Sequence, residues 1–254
     1  DGRDLDSESL LVWAEQGVGD EIFFAFGLIP LARHVSNVVV AVDERLLHFF
    51  RERFPTWRVI GRDEASGIVE QGTESFDFHI PMGELMPLFF DELRALPTEA
   101  LHPLFKPVES RREQIADTLG ARQKPGVAIS WRGGTDIDGK ARSMELADMI
   151  AGLPTDADLD IISVQYSGEV GREIAELGDA RVRSSGLDNR NDLEGVMTLL
   201  SHVDAVISVD NAVVHFAAAM GTPAHVIMPR ALSQFRFKNE DFRQAFFPGV
   251  QLYY

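Results

Sequence analysis

Val203–Pro229 reads VDAVISVDNAVVHFAAAMGTPAHVIMP. Ala205–Val209 is a short apolar run rich in β-branched residues, the pattern of a buried parallel strand. Asp210-Asn211 supplies a polar turn, and Val213, Val214, Phe216, Ala217 and Met220 then recur at the spacing of a helix packed on a sheet. Gly221-Thr222-Pro223 stops that helix, and Ala224–Met228 reads as a second buried strand. The stretch is a βαβ unit, and ligands of such units sit at the carboxyl end of the first strand, where the next helix begins. Asp210, Asn211, Ala212 and His215 occupy that place, where a phosphate would meet helix N–H groups and the positive end of a helix dipole. A purely structural turn, with Asp210 as helix N-cap and His215 partly buried on one hydrogen bond, accounts for the same letters.

The same alternation extends in both directions. Upstream, Ser9–Ala14, Val38–Val42, Trp57–Ile60 and Phe76–Pro81 read as strands, with helices over Glu21–Arg33 and Leu46–Phe54. The pattern lapses at Pro97–Pro107 (PTEALHPLFKP), where three prolines mark the expected connection between domains. A helix over Val108–Leu119 follows, and then strands over Gly126–Trp131, Leu159–Tyr166 and Arg181–Ser184. Helices over Met144–Leu153, Glu169–Leu177 and Asp192–His202 separate them. This is the order of an α/β fold with parallel, doubly wound sheets, in domains 1–105 and 106–254. The aromatic tail (Phe235, Phe237, Phe242, Phe246, Phe247, Tyr253 and Tyr254) is expected to pack into a core or back toward the first domain.

Composition narrows the partners. The chain has 254 residues, of which 45% are hydrophobic, enough for a substantial core. It lacks any run of the ~18 to 20 apolar residues that spans a bilayer. No basic segment followed by an apolar one opens it, so no secretory signal is read. A start at Asp1 in place of methionine suggests a piece of a longer chain. There are no cysteines, which removes thiol nucleophiles and zinc–thiolate sites and agrees with a cytoplasmic location. The net charge of −16 makes nucleic acid and anionic membranes poor partners. Residues 1–105 carry a net −11 and residues 106–254 a net −5, so an anionic ligand is better received by the second half.

Two further loops carry candidate chemistry. Glu15-Gln16-Gly17-Val18-Gly19-Asp20 follows the first strand, and its glycines, Gly17 and Gly19, permit a tight turn and close approach of a ligand. An S-adenosylmethionine methyltransferase would use the same loop, with Glu15 and with Asp43 after the second strand. A dinucleotide fingerprint would need a third glycine where Ile22 stands. Ser130-Trp131-Arg132-Gly133-Gly134-Thr135 ends another strand, and Arg132, Lys140 and Arg142 place three cations within eleven residues. A solvated surface loop is the alternative. Gln165 ends the next strand and is a candidate for the same face. Asp-x-Asp pairs at Asp4, Asp136, Asp156 and Asp158 are too frequent in an acidic chain to indicate a metal, and the seven histidines include no His-x-x-x-His pair.

Taken together, SVDNAVVHFAAAMGTP, the Gly-x-Gly-Asp loop and the Trp-x-Gly stretch followed by a basic residue before Ser143-Met144 resemble the heptosyltransferase-type glycosyltransferases, glycosyltransferase family nine. The version appended to bacterial tetratricopeptide repeats is the nearest in pattern, through VWAEQG. The family carries a hydroxyl residue where this chain has Asn211. The resemblance implies a GT-B architecture, two Rossmann-like domains facing across a cleft, the first binding the acceptor and the second a nucleotide-diphosphate sugar. It implies Asp20 as the catalytic base of an inverting, metal-independent transfer. Trp131, Arg132, Lys140, Arg142, Gln165, Asp210, Asn211, Ala212 and His215 would lie on the donor side, Gly17 and Gly19 on the acceptor loop. No cofactor is implied beyond the donor substrate, and the implied partners are a nucleotide sugar, a protein or glycan acceptor and an upstream repeat domain. A methyltransferase, a non-catalytic sugar-nucleotide or partner-binding module and a sugar-nucleotide epimerase remain as alternatives. The donor base, the sugar, the acceptor and the oligomeric state are not readable from these residues.

Overall fold

The computed structural model describes residues 8–120, 123–134, 137–166, 169–229 and 246–254. The chain divides into two compact units, Asp1–Phe105 and Lys106–Tyr254. Each is built on its own parallel sheet.

In the first unit the strands are β1 (Leu10–Trp13), β2 (Val38–Val42), β3 (Arg58–Gly61) and β4 (Phe78–Pro81), in the order β3-β2-β1-β4. All three pairings are parallel, Leu10 lying opposite Val38 on one side and Phe78 on the other. β2 is VVVAV and buried throughout, as a central parallel strand with helices on both faces must be. The helix expected over Glu21–Arg33 begins earlier and is broken: α1 (Val18–Phe24), a 3₁₀ turn (Ala25–Gly27) and α2 (Leu28–Leu31) follow in succession. The tightening coincides with close packing, because a Cβ on Gly27 would sit 2.6 Å from the Cβ of Leu85. The remaining helices are α3 (Leu47–Arg53), α4 (Arg62–Gln71), α5 (Leu85–Leu88), α6 (Phe90–Ala95) and α7 (Thr98–Leu101).

The division between the units falls within the proline-rich stretch, and the residues before it are docked. Leu101, Leu104 and Phe105 are buried, and the Phe105 ring lies 5.5 Å from that of Phe49 and 5.2 Å from that of Phe50. Burial of such side chains is worth about 1.5 to 3 kcal/mol each, which anchors this segment to the first unit.

The second unit contains α8 (Arg112–Leu119), β5 (Gly126–Ser130), α9 (Ile137–Ala141), α10 (Leu146–Ala151), β6 (Asp160–Ser163) and α11 (Val170–Leu177). It continues with β7 (Val182–Ser184), α12 (Leu193–Leu200), β8 (Ala205–Val209), α13 (Ala212–Met220), β9 (Ala224–Ile227) and β10 (Val250–Tyr253). The strand order is β10-β9-β8-β5-β6-β7, again all parallel. Ile129, Trp131, Met149, Ile161 and Val209 meet in one apolar cluster. Of the aromatic tail, Phe235, Phe237 and Phe242 lie outside the described residues. Phe246 and Phe247 are buried, the Phe247 ring standing edge-on to His215 at 5.5 Å, within the second unit.

Candidate functional site

Strand order locates the place where each sheet can receive a ligand. In the second unit the chain runs outward from β5 through β6 to β7, then returns to lay β8 on the other side of β5. The loops after β5 and β8 therefore diverge, opening a crevice at the strands' carboxyl ends. In the first unit the same reversal falls between β1 and β4. The sequence motifs stand at these two points: Glu15–Asp20 after β1, Trp131–Gly134 after β5, and Asp210-Asn211 after β8.

In the second unit the strand ends are joined by neutral polar groups. The Oε1 of Gln165, which follows β6, accepts from Ser130 Oγ at 3.0 Å and from the backbone N–H of both Trp131 and Arg132 at 2.9 Å. Asn211 donates through Nδ2 to Ser130 Oγ at 2.8 Å and to the Arg132 carbonyl at 2.9 Å. Its Oδ1 accepts from Val213 N at 2.9 Å and from Ser208 Oγ at 3.1 Å. Asn211, and not Asp210, is thus the N-cap of α13. A carboxamide has one donor group and one acceptor group, and Asn211 uses both at once, a pairing a hydroxyl residue could not reproduce in the same way. Ser130, Gln165, Ser208 and Asn211 are 8% exposed or less, so the hydrogen bonds among them hold the turns where water competes little.

Arg142 reaches from the connection after α9 to Asp210, with Nη1 3.3 Å from Oδ2. The Asp210 side chain is 2% exposed and that of Arg142 16%. A guanidinium beside the first turn of α13 is suited to an anion there, and any phosphate would compete with Asp210 for it. Ala212 opens the helix, and buried His215 lies one turn further in. Lys140, at the end of α9, is exposed.

Arg132 is committed elsewhere. Its Nη1 and Nη2 meet Glu173 of α11 at 2.5 and 2.7 Å, and Trp131 Nε1 donates to the same carboxylate at 2.9 Å. Burial pushes the Glu173 carboxyl up, but the hydrogen bonds from Arg132 and Trp131 prevail and hold it below the usual range. The Trp131 side chain is fully buried, so only its backbone faces the loop. Gly133 is required by a close approach: a Cβ there would lie 2.8 Å from the Gly139 carbonyl oxygen, while Ser143 bridges Gly133 N and that carbonyl.

At the corresponding end of the first unit, Gly17 is the N-cap of α1 in extended conformation, and a Cβ on it would meet nothing within 4 Å. Backbone geometry alone does not demand glycine at that position, whereas Gly19 is buried inside the first turn. Asp20 is the third helical residue, half-buried, its N–H bonded to the Gly17 carbonyl at 2.9 Å. An acid in that first turn is favoured by the helix dipole. Asp43 is occupied: Arg45 Nε and Nη2 bind its two oxygens, each at 2.7 Å, and hydrogen bonding to Arg45 lowers its carboxyl below the usual range. Glu15 reaches Gly83 N at 3.5 Å. Neither acid is presented as a ribose acceptor would be, which weakens the methyltransferase alternative. Among the described residues no three His, Asp or Glu side chains gather as a metal site would require.

Sequence reading passed over Glu173, Ser208, Glu21 and Arg62. Glu173 and Arg62 act at a distance in sequence of roughly forty residues from their partners, which no local pattern reports. Glu21 had one signal, an acid inside an otherwise apolar helix.

Two parallel sheets, each with its motif at a strand-order reversal, make this an α/β chain of two Rossmann-like units, the class of fold that GT-B glycosyltransferases share. More particularly, the chain is similar to glycosyltransferase family 9 (heptosyltransferase), whose family model matches residues 163–226. It is 27% identical over 243 residues to Protein FlbA of Caulobacter vibrioides, a match covering 89% of this chain and 40% of that protein. The chain therefore spans about two fifths of the length of this curated relative. Among solved structures, the E. coli ADP-heptose lps heptosyltransferase II superposes with a TM-score of 0.62 at 14% identity, covering 96% of this chain and 90% of that one. The dodecameric iron-containing heptosyltransferase TibC of enterotoxigenic E. coli, in complex with ADP-D-β-D-heptose, gives 0.56 at 14%, covering 89% and 60%. The α/β fold and the family resemblance expected from the sequence both hold.

Proposed function

We propose that this chain transfers a sugar from a nucleotide-diphosphate sugar to a hydroxyl of a protein or glycan, inverting the anomeric carbon and using no metal. The observation that carries the reading is the Arg142–Asp210 pair at the start of α13, beside an Asn211-capped helix that falls within the family-matched segment. The second unit is the donor side. Arg142 and Lys140, with the first amides of α13, balance the charge of the departing diphosphate. Arg132, held by Glu173, shapes the loop. Asp20, on the first unit, is the base. As the acceptor oxygen bonds to the anomeric carbon, its proton passes to the Asp20 carboxylate, and the carbon–oxygen bond to the diphosphate breaks to release the nucleotide. The acceptor is presented by a repeat domain elsewhere in a longer cytoplasmic protein.

Calorimetric titration with ADP, UDP and GDP, followed by the matching sugar nucleotides, tests the donor side. Absence of binding by all of them overturns it. A second reading, a non-catalytic sugar-nucleotide module, draws support from Asn211, whose amide is spent on Ser130 and Arg132. Nucleotide binding without release of free nucleotide from any donor, over a panel of protein and glycan acceptors, would favour it.

A further inference from the structure

At the carboxyl end of the first sheet, three consecutive strands are tied together through one buried carboxylate. Glu21, in the first turn of α1, is 1% exposed. Its Oε2 accepts from Asp43 N, immediately after β2, at 2.8 Å. Its Oε1 meets Arg62 Nη2, immediately after β3. The same Nη2 also reaches the carbonyl of Gln16, in the loop after β1 that leads into Gly17–Asp20.

Removing the Glu21 carboxylate from water is costly, and its partner Arg62 stays 35% exposed, where solvent screens the attraction that would offset that cost. Arg62 Nε is buried as well, and no acceptor meets it among the described residues. The pair is therefore poorly explained as a stabilising device. What it does geometrically is hold the turn that carries Asp20.

We propose that Glu21 is a positioning residue for the proposed base: its carboxylate keeps Arg62 on the Gln16 carbonyl, fixing the Gln16–Asp20 turn against the ends of β2 and β3. The consequence for turnover rests on the reading of Asp20 as the base; the consequence for the turn does not. Glutamine has one acceptor oxygen where Glu21 uses two, so Glu21→Gln can serve Asp43 N or Arg62 but not both. Protonation of Glu21 has the same effect, since one oxygen becomes a donor facing Arg62. Burial, opposed by the Asp43 amide and Arg62, pushes this carboxyl up to about 7, so the switch falls near neutrality. The charged groups around it are Arg62 and Asp43, with Arg45 behind Asp43, Glu44 bonded to Asp63 N, and Asp20 beside it on α1.

The test is amide hydrogen exchange by mass spectrometry on peptides spanning residues 14–20, corrected for intrinsic rates, for wild type, Glu21→Gln and Arg62→Lys between pH 5.5 and 8.5. Wild type is expected to exchange this turn about tenfold more slowly at the alkaline end than at the acid end. Glu21→Gln exchanges it fast throughout, with β1 and β2 unchanged. Arg62→Lys, a milder change, gives an intermediate rate and serves if Glu21→Gln does not fold. Equal protection of the turn in wild type and the folded variants overturns the proposal. Turnover is measured alongside: a fall in kcat at unchanged nucleotide affinity follows if Asp20 is the base. Loss of turn protection without any turnover in wild type would instead defeat the transferase reading and leave the positioning role standing.

Discussion

The two sheets end in different chemistry although both are parallel and reverse their strand order in the same way. The first closes its strand ends with a carboxylate–guanidinium system, Glu21 and Asp43 against Arg62 and Arg45. The second closes them with carboxamides, Gln165 and Asn211, and keeps its ion pair, Arg142–Asp210, at the mouth of the helix. Neutral amides hold their hydrogen bonds at any ordinary pH, whereas a buried carboxylate does so only when ionised. The end proposed to work on protons closes its strands through a titratable group; the carboxamides that close the other do not titrate.

The strongest way to break this contrast is Asp20→Asn. Gly17, not Asp20, is the N-cap, so the change takes a favourable charge from the first turn, worth about 0.3 to 1 kcal/mol, without removing a cap. A general base predicts a turnover lower by roughly 10² to 10⁴, with melting and donor binding nearly unchanged. Near wild-type transfer by the asparagine variant would leave the mechanism without its base.

The next effect is on stability. Glu21 has a folded pKa near 7 against an ordinary 4.5, so the folded state binds the extra proton between these values. Stability from this group is present in full below pH 4.5 and is lost as pH rises through 7, by roughly 3 kcal/mol in all. Urea unfolding across that window should show the decline in wild type, and Glu21→Gln should lack this component. Parallel curves would mean that Glu21 does not titrate as the buried geometry requires.

Arg142→Ala sharpens the other side of the comparison. Loss of a charge-assisted contact should weaken nucleoside-diphosphate binding by about 1.5 to 3 kcal/mol, with no change in its dependence on pH between 6 and 8. Equal affinity by calorimetry removes Arg142 from the site. A smaller effect concerns the acceptor: a first half at net −11 repels anionic partners over about a Debye length of 8 Å, so neutral glycans or proteins should be preferred over an anionic lipid, the more so at low salt. Preferential glycosylation of the anionic lipid would reverse that inference. The smallest expected effect is that of a chelator, which should leave transfer unchanged; inactivation restored by a metal ion would end the metal-independent proposal.

Much of this architecture was legible because parallel strands are apolar on both faces. VVVAV at 38–42 and the run ending at Val209 admit little else. Helix α4 was not legible: of RDEASGIVEQ only Ile68 is buried, so its period leaves almost no trace. The short helices α5 to α7 carry few turns from which a period could be read, and the proline-rich stretch hid a docked Leu101–Phe105 segment. At the candidate site, the motif loops stood out as polar letters after apolar runs. Gln165 stood out too, as a strand end, but Glu173 did not, because it reaches Arg132 only once β5 and β6 are neighbours. Three clustered cations looked equivalent in sequence, and the fold separates them into one tied to a helix, one exposed and one at the helix mouth.

The pairing of β10 with β9 has a consequence for how the protein is made. The edge of the second sheet beside Ala224–Ile227 is completed by Val250–Tyr253, twenty-odd residues later in the chain. On a ribosome, β9 emerges before the strand that shields it, with unpaired N–H and C=O groups along that side during the interval. In the first unit one side of β1 waits longer still, for Phe78–Pro81 of β4. Vectorial synthesis therefore leaves an unpaired strand edge in each half for a time, open to association with other nascent chains. A chaperone that binds extended apolar segments would find its target in that interval, in AHVI of β9.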